Sequence, residues 1–226
     1  MSEFTFVAGA PGSSWSMISH RLKLILDHDR SDETDERQFE FVRPYTFTIK
    51  NKEFGESRAN SHFGSYFGPY NEFGERFDDI ATNYSLEEFY AECSRPFKND
   101  NTRKSIRCHW FAHQLDWLWD NCKGHKLLLI YKPTDQSFFR WKERGGWDIV
   151  HPVYTWYQND EFMEQQVDKE NQNILKFAQD KNLVWEDYSE DWWEQKFGKK
   201  ELHLQYRPSV KEYSNHTLQV IYTEIV

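Results

Sequence analysis

Thr5-Phe-Val-Ala-Gly-Ala-Pro-Gly-Ser-Ser-Trp-Ser-Met-Ile-Ser-His20 decides how the rest of the chain is read. Phe4 to Ala8 reads as a short buried strand, and Gly9-Ala10-Pro11-Gly12 breaks it with a tight turn. From Ser14 an amphipathic helix begins, with Trp15, Ile18, Leu22 and Ile25 at the spacing that keeps one side against a core. Ser13 and Ser14 are natural N-caps for it. A strand, a Gly-rich turn and a capped helix make an anion site, because the first-turn N–H groups and the helix dipole both favour negative charge there. Glycine lets backbone come close to a phosphate. The plain alternative is a strand–turn–helix unit that binds nothing. The turn contains no lysine and lacks the Gly-Lys-Ser/Thr ending of a Walker A loop, which argues against an ordinary NTPase or kinase.

The chain around this unit has 226 residues, enough for one well-buried domain, and we expect a single domain over 1–226. Its formal net charge of −9 repels nucleic acid, so no nucleic-acid partner is expected. Aromatic residues make up 18% of the chain, so much of the core must be built from Trp, Tyr and Phe. The mean hydropathy of −0.90 and the lack of any long apolar run exclude a spanning helix, and no membrane partner is expected. No basic stretch followed by an apolar run opens the chain, so no signal peptide is expected. Cys93, Cys108 and Cys122 fit neither a disulfide framework nor a zinc motif, which suits a reducing, cytoplasmic setting.

Further along, the charged run His28 to Arg37 reads as a solvated loop. Phe39 to Lys50 reads as a strand, which Pro44 keeps out of the centre of a sheet. Ser61 to Glu75 sets Gly64, Gly68 and Gly74 among aromatic residues and reads as an ordered loop, either lining a pocket or only covering the core; His62 and Glu72 are its titratable members. Ser85 to Cys93 reads as a helix opened by a Ser85-x-x-Glu88 capping box. Pro96 to Arg103 reads as a linker, and Ile106 to Trp119 as a helix. Lys126 to Tyr131 is the clearest strand, a continuous apolar run suited to a central parallel position. A turn at Lys132-Pro133-Thr134-Asp135 follows, and a helix begins at Gln136. Asp160 to Lys181 reads as a long helix with Met163, Val167, Ile174 and Ala178 on one stripe. A short strand at Leu183 to Glu186, a helical turn around Trp192, Trp193 and Phe197, and a last strand from Thr217 complete the chain. Strands alternating with helices predict an α/β fold, a three-layer domain with a mainly parallel central sheet flanked by helices. In such sheets ligands sit at the carboxyl ends of the strands, where the Gly9 and Lys132 turns would both lie.

This order of parts resembles the P-loop sulfotransferases, and more narrowly the small sulfotransferase-like proteins of marine cyanophages and their hosts. Ala-Gly-Ala-Pro-Gly-Ser-Ser-Trp-Ser and the His62-Phe-Gly-Ser-Tyr-Phe-Gly-Pro stretch carry the narrower likeness. The resemblance implies transfer of a sulfuryl group from 3′-phosphoadenosine 5′-phosphosulfate (PAPS) to a hydroxyl or amine of a small-molecule or glycan acceptor, with no metal. It implies that Gly9, Pro11, Gly12, Ser13, Ser14, Trp15 and Ser16 hold the 5′-phosphosulfate. It implies that the second turn, through Lys132, Ser137 and Arg140, holds the 3′-phosphate. Cys108-His109 stands where the family's Thr-His pair supplies a base, so His109 is the first candidate for that role, followed by His62 and Glu72. The family lysine of the first loop has no counterpart here; Arg21, Lys132 and Arg140 are the cations that could replace it. His109 and His113 also form an i, i+4 pair suited to a metal, but no third ligand stands nearby in sequence. The alternative is a non-catalytic protein of the same fold whose degenerate loops hold a nucleotide or a partner.

Overall fold

The structure is a computed structural model. It describes residues 2–34, 38–49, 52–65, 67, 80–143, 159–189, 191–198 and 217–226, with backbone alone for 38–49 and 52–63. β1 (Phe4–Gly9) is buried along its whole length and leads through the turn into α1 (Trp15–Ile25). β2 (Gln38–Ile49) and β3 (Lys52–Phe63) form a separate antiparallel pair, in register from Gln38↔Phe63 to Ile49↔Lys52. The short α2 (Ile80–Asn83) precedes α3 (Leu86–Ser94), which starts at the expected reciprocal capping box between Ser85 and Glu88. β4 (Lys104–Arg107), a 3₁₀ turn (His109–His113) and α4 (Leu115–Asn121) come next. β5 (Lys126–Tyr131), α5 (Thr134–Glu143), α6 (Asp160–Asp180), β6 (Glu186–Asp187), α7 (Trp192–Phe197) and β7 (Gln219–Glu224) complete the described elements.

Five strands make one open sheet in the order β4-β1-β5-β7-β6. β1 pairs in parallel with β4 on one side and β5 on the other; β7 runs antiparallel to β5. The fold is therefore mixed α/β with a parallel core. Alternate residues of β1 serve two apolar clusters. Phe4, Phe6 and Ala8 pack with residues of α3, α4, α5 and α6, whereas Val7 packs with Trp15, Ile18, Leu22 and Ile25 of α1 and Trp192 and Trp193 of α7. Helices thus cover both faces, and Phe6, Phe89 and Phe111 meet at ring centroid distances of 5.6 to 6.3 Å in the first cluster. No described helix is long and apolar enough to cross a membrane.

Several expectations are corrected. Ile106 to Trp119 is not one helix. Lys104–Arg107 is a strand that gives β1 a second partner, and the regular helix starts only at Leu115. Its single apolar residue, Ile106, lies between Ser105 and Arg107, yet Lys104 and Arg107 are buried with it. The run from His28 is not a solvated loop over its described part. Asp32 is fully buried and accepts both contacts of the Lys23 ammonium, at 2.9 and 2.8 Å, together with the Ser65 N–H at 2.7 Å. Asp29 accepts from the Ser31 N–H, Asn99 Nδ2 and Thr102 Oγ1. These charges turn inward because the chain supplies each with partners, which is the condition for burying them. Residues 61–63 belong to β3 rather than to a loop, and the short strand after α6 forms at Glu186–Asp187.

Candidate functional site

Because β4, β1 and β5 are parallel, their carboxyl ends share one rim. Gly9 ends β1, Cys108-His109 follows β4, and Lys132 follows β5. α1 leaves β1 toward one face, whereas α5 leaves β5 toward the other, where Phe138 and Trp141 join the first cluster. Neighbouring parallel strands whose connections part in this way leave a crevice between their ends, the usual ligand position in open α/β sheets.

The turn after β1 is tied by the Ser13 N–H donating to Ala10 O at 3.0 Å, and the α1 ladder begins with Ile18 N–H to Ser14 O at 3.1 Å. Gly12 and Ser14 both adopt the left-handed region, with φ of 81° and 71°. Ser14 therefore does not cap α1 with its side chain. Its hydroxyl instead accepts from Lys132 Nζ at 3.1 Å, and Nζ also lies 3.4 Å from Gly12 O. Lys132 is only 4% exposed. Of the three cations that could replace the missing turn lysine, this one reaches the turn. Arg21 donates to the Tyr188 hydroxyl at 2.6 Å, and Arg140 is paired with Glu143 on its own helix. Ser13 Oγ is fully buried and has no hydrogen-bond partner.

Gly12 has a different task from the one expected. A Cβ there would lie 1.9 Å from Ser137 O and 2.9 Å from Trp141 N. The glycine lets the backbone of α5 pack onto the turn, and that space is not available to a phosphate. Ser137 is likewise structural, donating its hydroxyl to Lys132 O at 3.1 Å and so fixing the start of α5. Arg140 Nη1 pairs with Glu143 and the Ser137 hydroxyl with Lys132 O.

His109 stands on the opposite side of the turn. Its Nδ1 lies 3.3 Å from Gly9 O and 3.5 Å from Glu170 Oε2, and its ring packs against Trp15 with centroids 4.3 Å apart. Both groups facing Nδ1 are acceptors, so the neutral ring carries its proton on Nδ1 and its lone pair on Nε2. Trp15 is thus a packing partner of the histidine as well as the first residue of α1. Pro11 is buried in the turn, and Ser16 is half-buried in the first turn of the helix.

α6 closes the back of the site with residues that sequence reasoning missed. Glu170 is fully buried; its Oε1 accepts from Gln166 Nε2 at 2.9 Å, and its Oε2 has no hydrogen-bond partner. Next to it, Asn171 donates Nδ2 to Lys132 O at 2.9 Å. Adjacent residues of one helix thus hold the β4 and β5 ends of the rim. His113 Nε2 lies 3.0 Å from Gln166 Nε2, and its Nδ1 faces the Asn173 amide at 3.1 Å. A neutral imidazole has one lone pair and can accept from only one of these amide nitrogens; Gln166, whose Nε2 also donates to the Glu170 carboxylate, is the one that donates to it. Burial pushes the His113 pKa down, against the pull of Glu170, which keeps this histidine neutral. Among the described residues no group of His, Cys, Asp and Glu is arranged to hold a metal ion. The missed signal was in the register: Glu170 falls three residues after Val167 and four before Ile174, on the apolar stripe itself.

Of the other base candidates, His62 is a strand residue paired with Phe39, and Glu72 lies outside the described residues. A groove of about 480 Å³ lined by Glu186, Trp192 and Lys196 lies at the β6 edge of the sheet and includes none of the rim residues. No protein-family model, no curated protein and no solved structure matches the chain.

Proposed function

We propose that the chain is a sulfotransferase of the P-loop, three-layer type, transferring a sulfuryl group from PAPS to a hydroxyl or amine. The observation that carries this reading is Lys132 Nζ seated on the β1–α1 turn, between Ser14 Oγ and Gly12 O. It supplies from the second turn the positive charge that the first turn lacks. Sulfuryl transfer, like phosphoryl transfer, needs mostly positioning and charge stabilisation. Lys132 and the first-turn N–H groups of α1 face the anionic sulfuryl oxygens, and the buried Ser13 hydroxyl is a further donor at the turn. His109, with its lone pair on Nε2, takes the proton from the acceptor as its oxygen or nitrogen bonds to sulfur and the sulfur–phosphate oxygen bond breaks. The bisphosphate is the leaving group. Three buried free cysteines suit a reducing compartment, in line with a cytoplasmic protein.

The second reading is a non-catalytic binder on the same scaffold. The pairing of Arg140 with Glu143, and the contact of Gly12 with α5, favour it, since both remove expected contacts to the nucleotide. Melting the protein with adenosine 3′,5′-bisphosphate, with ATP and with buffer alone separates the two. A ligand at 100 times its Kd adds about 2.7 kcal/mol. For a chain of this size that is a rise of about 5–11 °C. A rise with the bisphosphate and not with ATP supports the sulfotransferase; no rise with either overturns it.

A further inference from the structure

We infer that Glu170 is the positioning residue for His109, acting through Nδ1 from the helix that also holds the β5 end of the rim through Asn171. The kinetic part of this inference rests on the sulfotransferase reading; the structural part does not. Three features carry it. Glu170 is a fully buried carboxyl on the helix face that also carries the apolar Met163, Val167 and Ile174. A carboxyl is costly at such a place unless something holds it there. One of its oxygens is fixed by Gln166, and the other, which has no hydrogen-bond partner, lies 3.5 Å from His109 Nδ1. Gln166 is itself held by His113, which orders the contacts: His113 Nε2 accepts from Gln166, Gln166 donates to Glu170 Oε1, and Glu170 Oε2 is left 3.5 Å from His109 Nδ1.

This order keeps Nε2 as the basic atom of His109. When Nε2 takes a proton, both ring nitrogens carry hydrogen, and Nδ1 then has Gly9 O and the Glu170 carboxylate to receive it. The contact shortens as the ring becomes cationic, since hydrogen bonds between ionised partners are the shorter kind. Such a carboxyl fixes the tautomer and stabilises the imidazolium without taking the proton itself.

Glu170→Gln tests the assignment while nearly preserving shape. Gln166 continues to donate, so the new amide turns its oxygen to Gln166 and its NH₂ to His109 Nδ1. A donor then stands where an acceptor was, Gly9 O alone is left to receive the Nδ1 proton, and the ring shifts toward the Nε2–H tautomer. Long-range ¹H–¹⁵N spectra of the imidazole nitrogens of the full chain, with His109 identified by its loss in His109→Gln, read the tautomer with no substrate present. The expected result is the Nδ1–H form in the wild type and a raised Nε2–H share in Glu170→Gln. In turnover with PAPS, kcat falls by up to about 10²- to 10⁴-fold, the range that a positioned general base contributes. KM for PAPS changes less than about threefold, because Glu170 does not touch the turn that binds it. Glu170→Asp keeps the acceptor, so it retains Nδ1–H and recovers at least about tenfold of the lost rate. An unchanged His109 tautomer in Glu170→Gln, or an Nε2–H wild type, overturns the inference; the wild-type spectrum decides even if the variant does not fold. A wild type with the Nδ1–H form that shows no turnover with PAPS overturns the sulfotransferase reading and leaves the Glu170–His109 pair standing.

Discussion

Replacing Gly12 with alanine tests whether α5 rests on the turn, and Gly124 supplies the control. The two glycines have almost the same backbone, φ of 81° and 79°. A Cβ on Gly124 meets nothing within 4 Å, whereas one on Gly12 would lie 1.9 Å from Ser137 O and 2.8 Å from Ser137 C. The left-handed backbone costs an L-residue about 1–2 kcal/mol, and both variants incur it. Gly12→Ala must also push back the backbone of α5, an overpacking cost of about 1–3 kcal/mol. The expected losses are thus about 1–2 kcal/mol for Gly124→Ala and about 2–5 kcal/mol for Gly12→Ala. At about 2–4 °C per kcal/mol, they correspond to falls in Tm of about 2–8 °C and about 4–20 °C. Urea denaturation of both variants, followed by circular dichroism, measures the difference directly. Equal losses would mean that α5 does not touch the turn, and the account of the crevice between β1 and β5 would fall with it.

Lys132→Met removes a charge but keeps the stem. Losing a charge-assisted hydrogen bond of about 1.5–3 kcal/mol weakens adenosine 3′,5′-bisphosphate binding by about 10- to 150-fold, read by calorimetry; an unchanged Kd removes Lys132 from the site. Asp32→Ala strands the buried Lys23 ammonium and costs about 3–5 kcal/mol, while Lys23→Met combined with Asp32→Leu costs less than the single change, as urea midpoints will show. Burial, with Arg103 and Lys23 nearby, pushes the His28 pKa down to about 4 from an ordinary 6.5. Only the unfolded chain takes up this proton between those values, so stability falls as pH drops from about 6.5 toward 4, by about 2 kcal/mol at pH 5. His28→Gln flattens that part of the urea midpoint profile, and an unflattened profile would assign the acid loss to other groups.

The parts of the fold that were legible in sequence are those with a continuous or strictly periodic apolar signal. Lys126–Tyr131 is an unbroken apolar run bounded by charge and proline, and it forms the strand it reads as. The β1–turn–α1 unit and the long α6 were readable for the same reason. β4 was not, because Lys-Ser-Ile-Arg has one apolar residue and becomes a strand only through the open edge of β1. β3 gave no signal either, since its Lys-Glu-Phe-Gly-Glu-Ser-Arg stretch has no apolar alternation and is defined by its pairing with β2. At the site, the turn, Lys132 and His109 stood out because turns and histidines do so in any sequence. The partner that the structure gives Arg140, Glu143, lies one helical turn away and was there to be read in the spacing. Glu170 was overlooked because charge on a long helix is usually solvated; only its place on the apolar stripe marks it as buried.

The link between Asp32 and Ser65 bears on how often Ser65 and Phe67 lift away from the sheet. Parting them breaks the Ser65 amide bond to a buried carboxyl, worth about 1.5–3 kcal/mol, and wets Phe67, another 1.5–3 kcal/mol or so. The Phe67 N–H bond to Arg107 O is lost as well. With that bond at about 0.5–1.5 kcal/mol, a total near 3.5–7.5 kcal/mol allows the lifted form in about one molecule in several hundred to one in several hundred thousand. Amide protons of Ser65 and Phe67 then exchange with solvent that many times more slowly than those of an open chain.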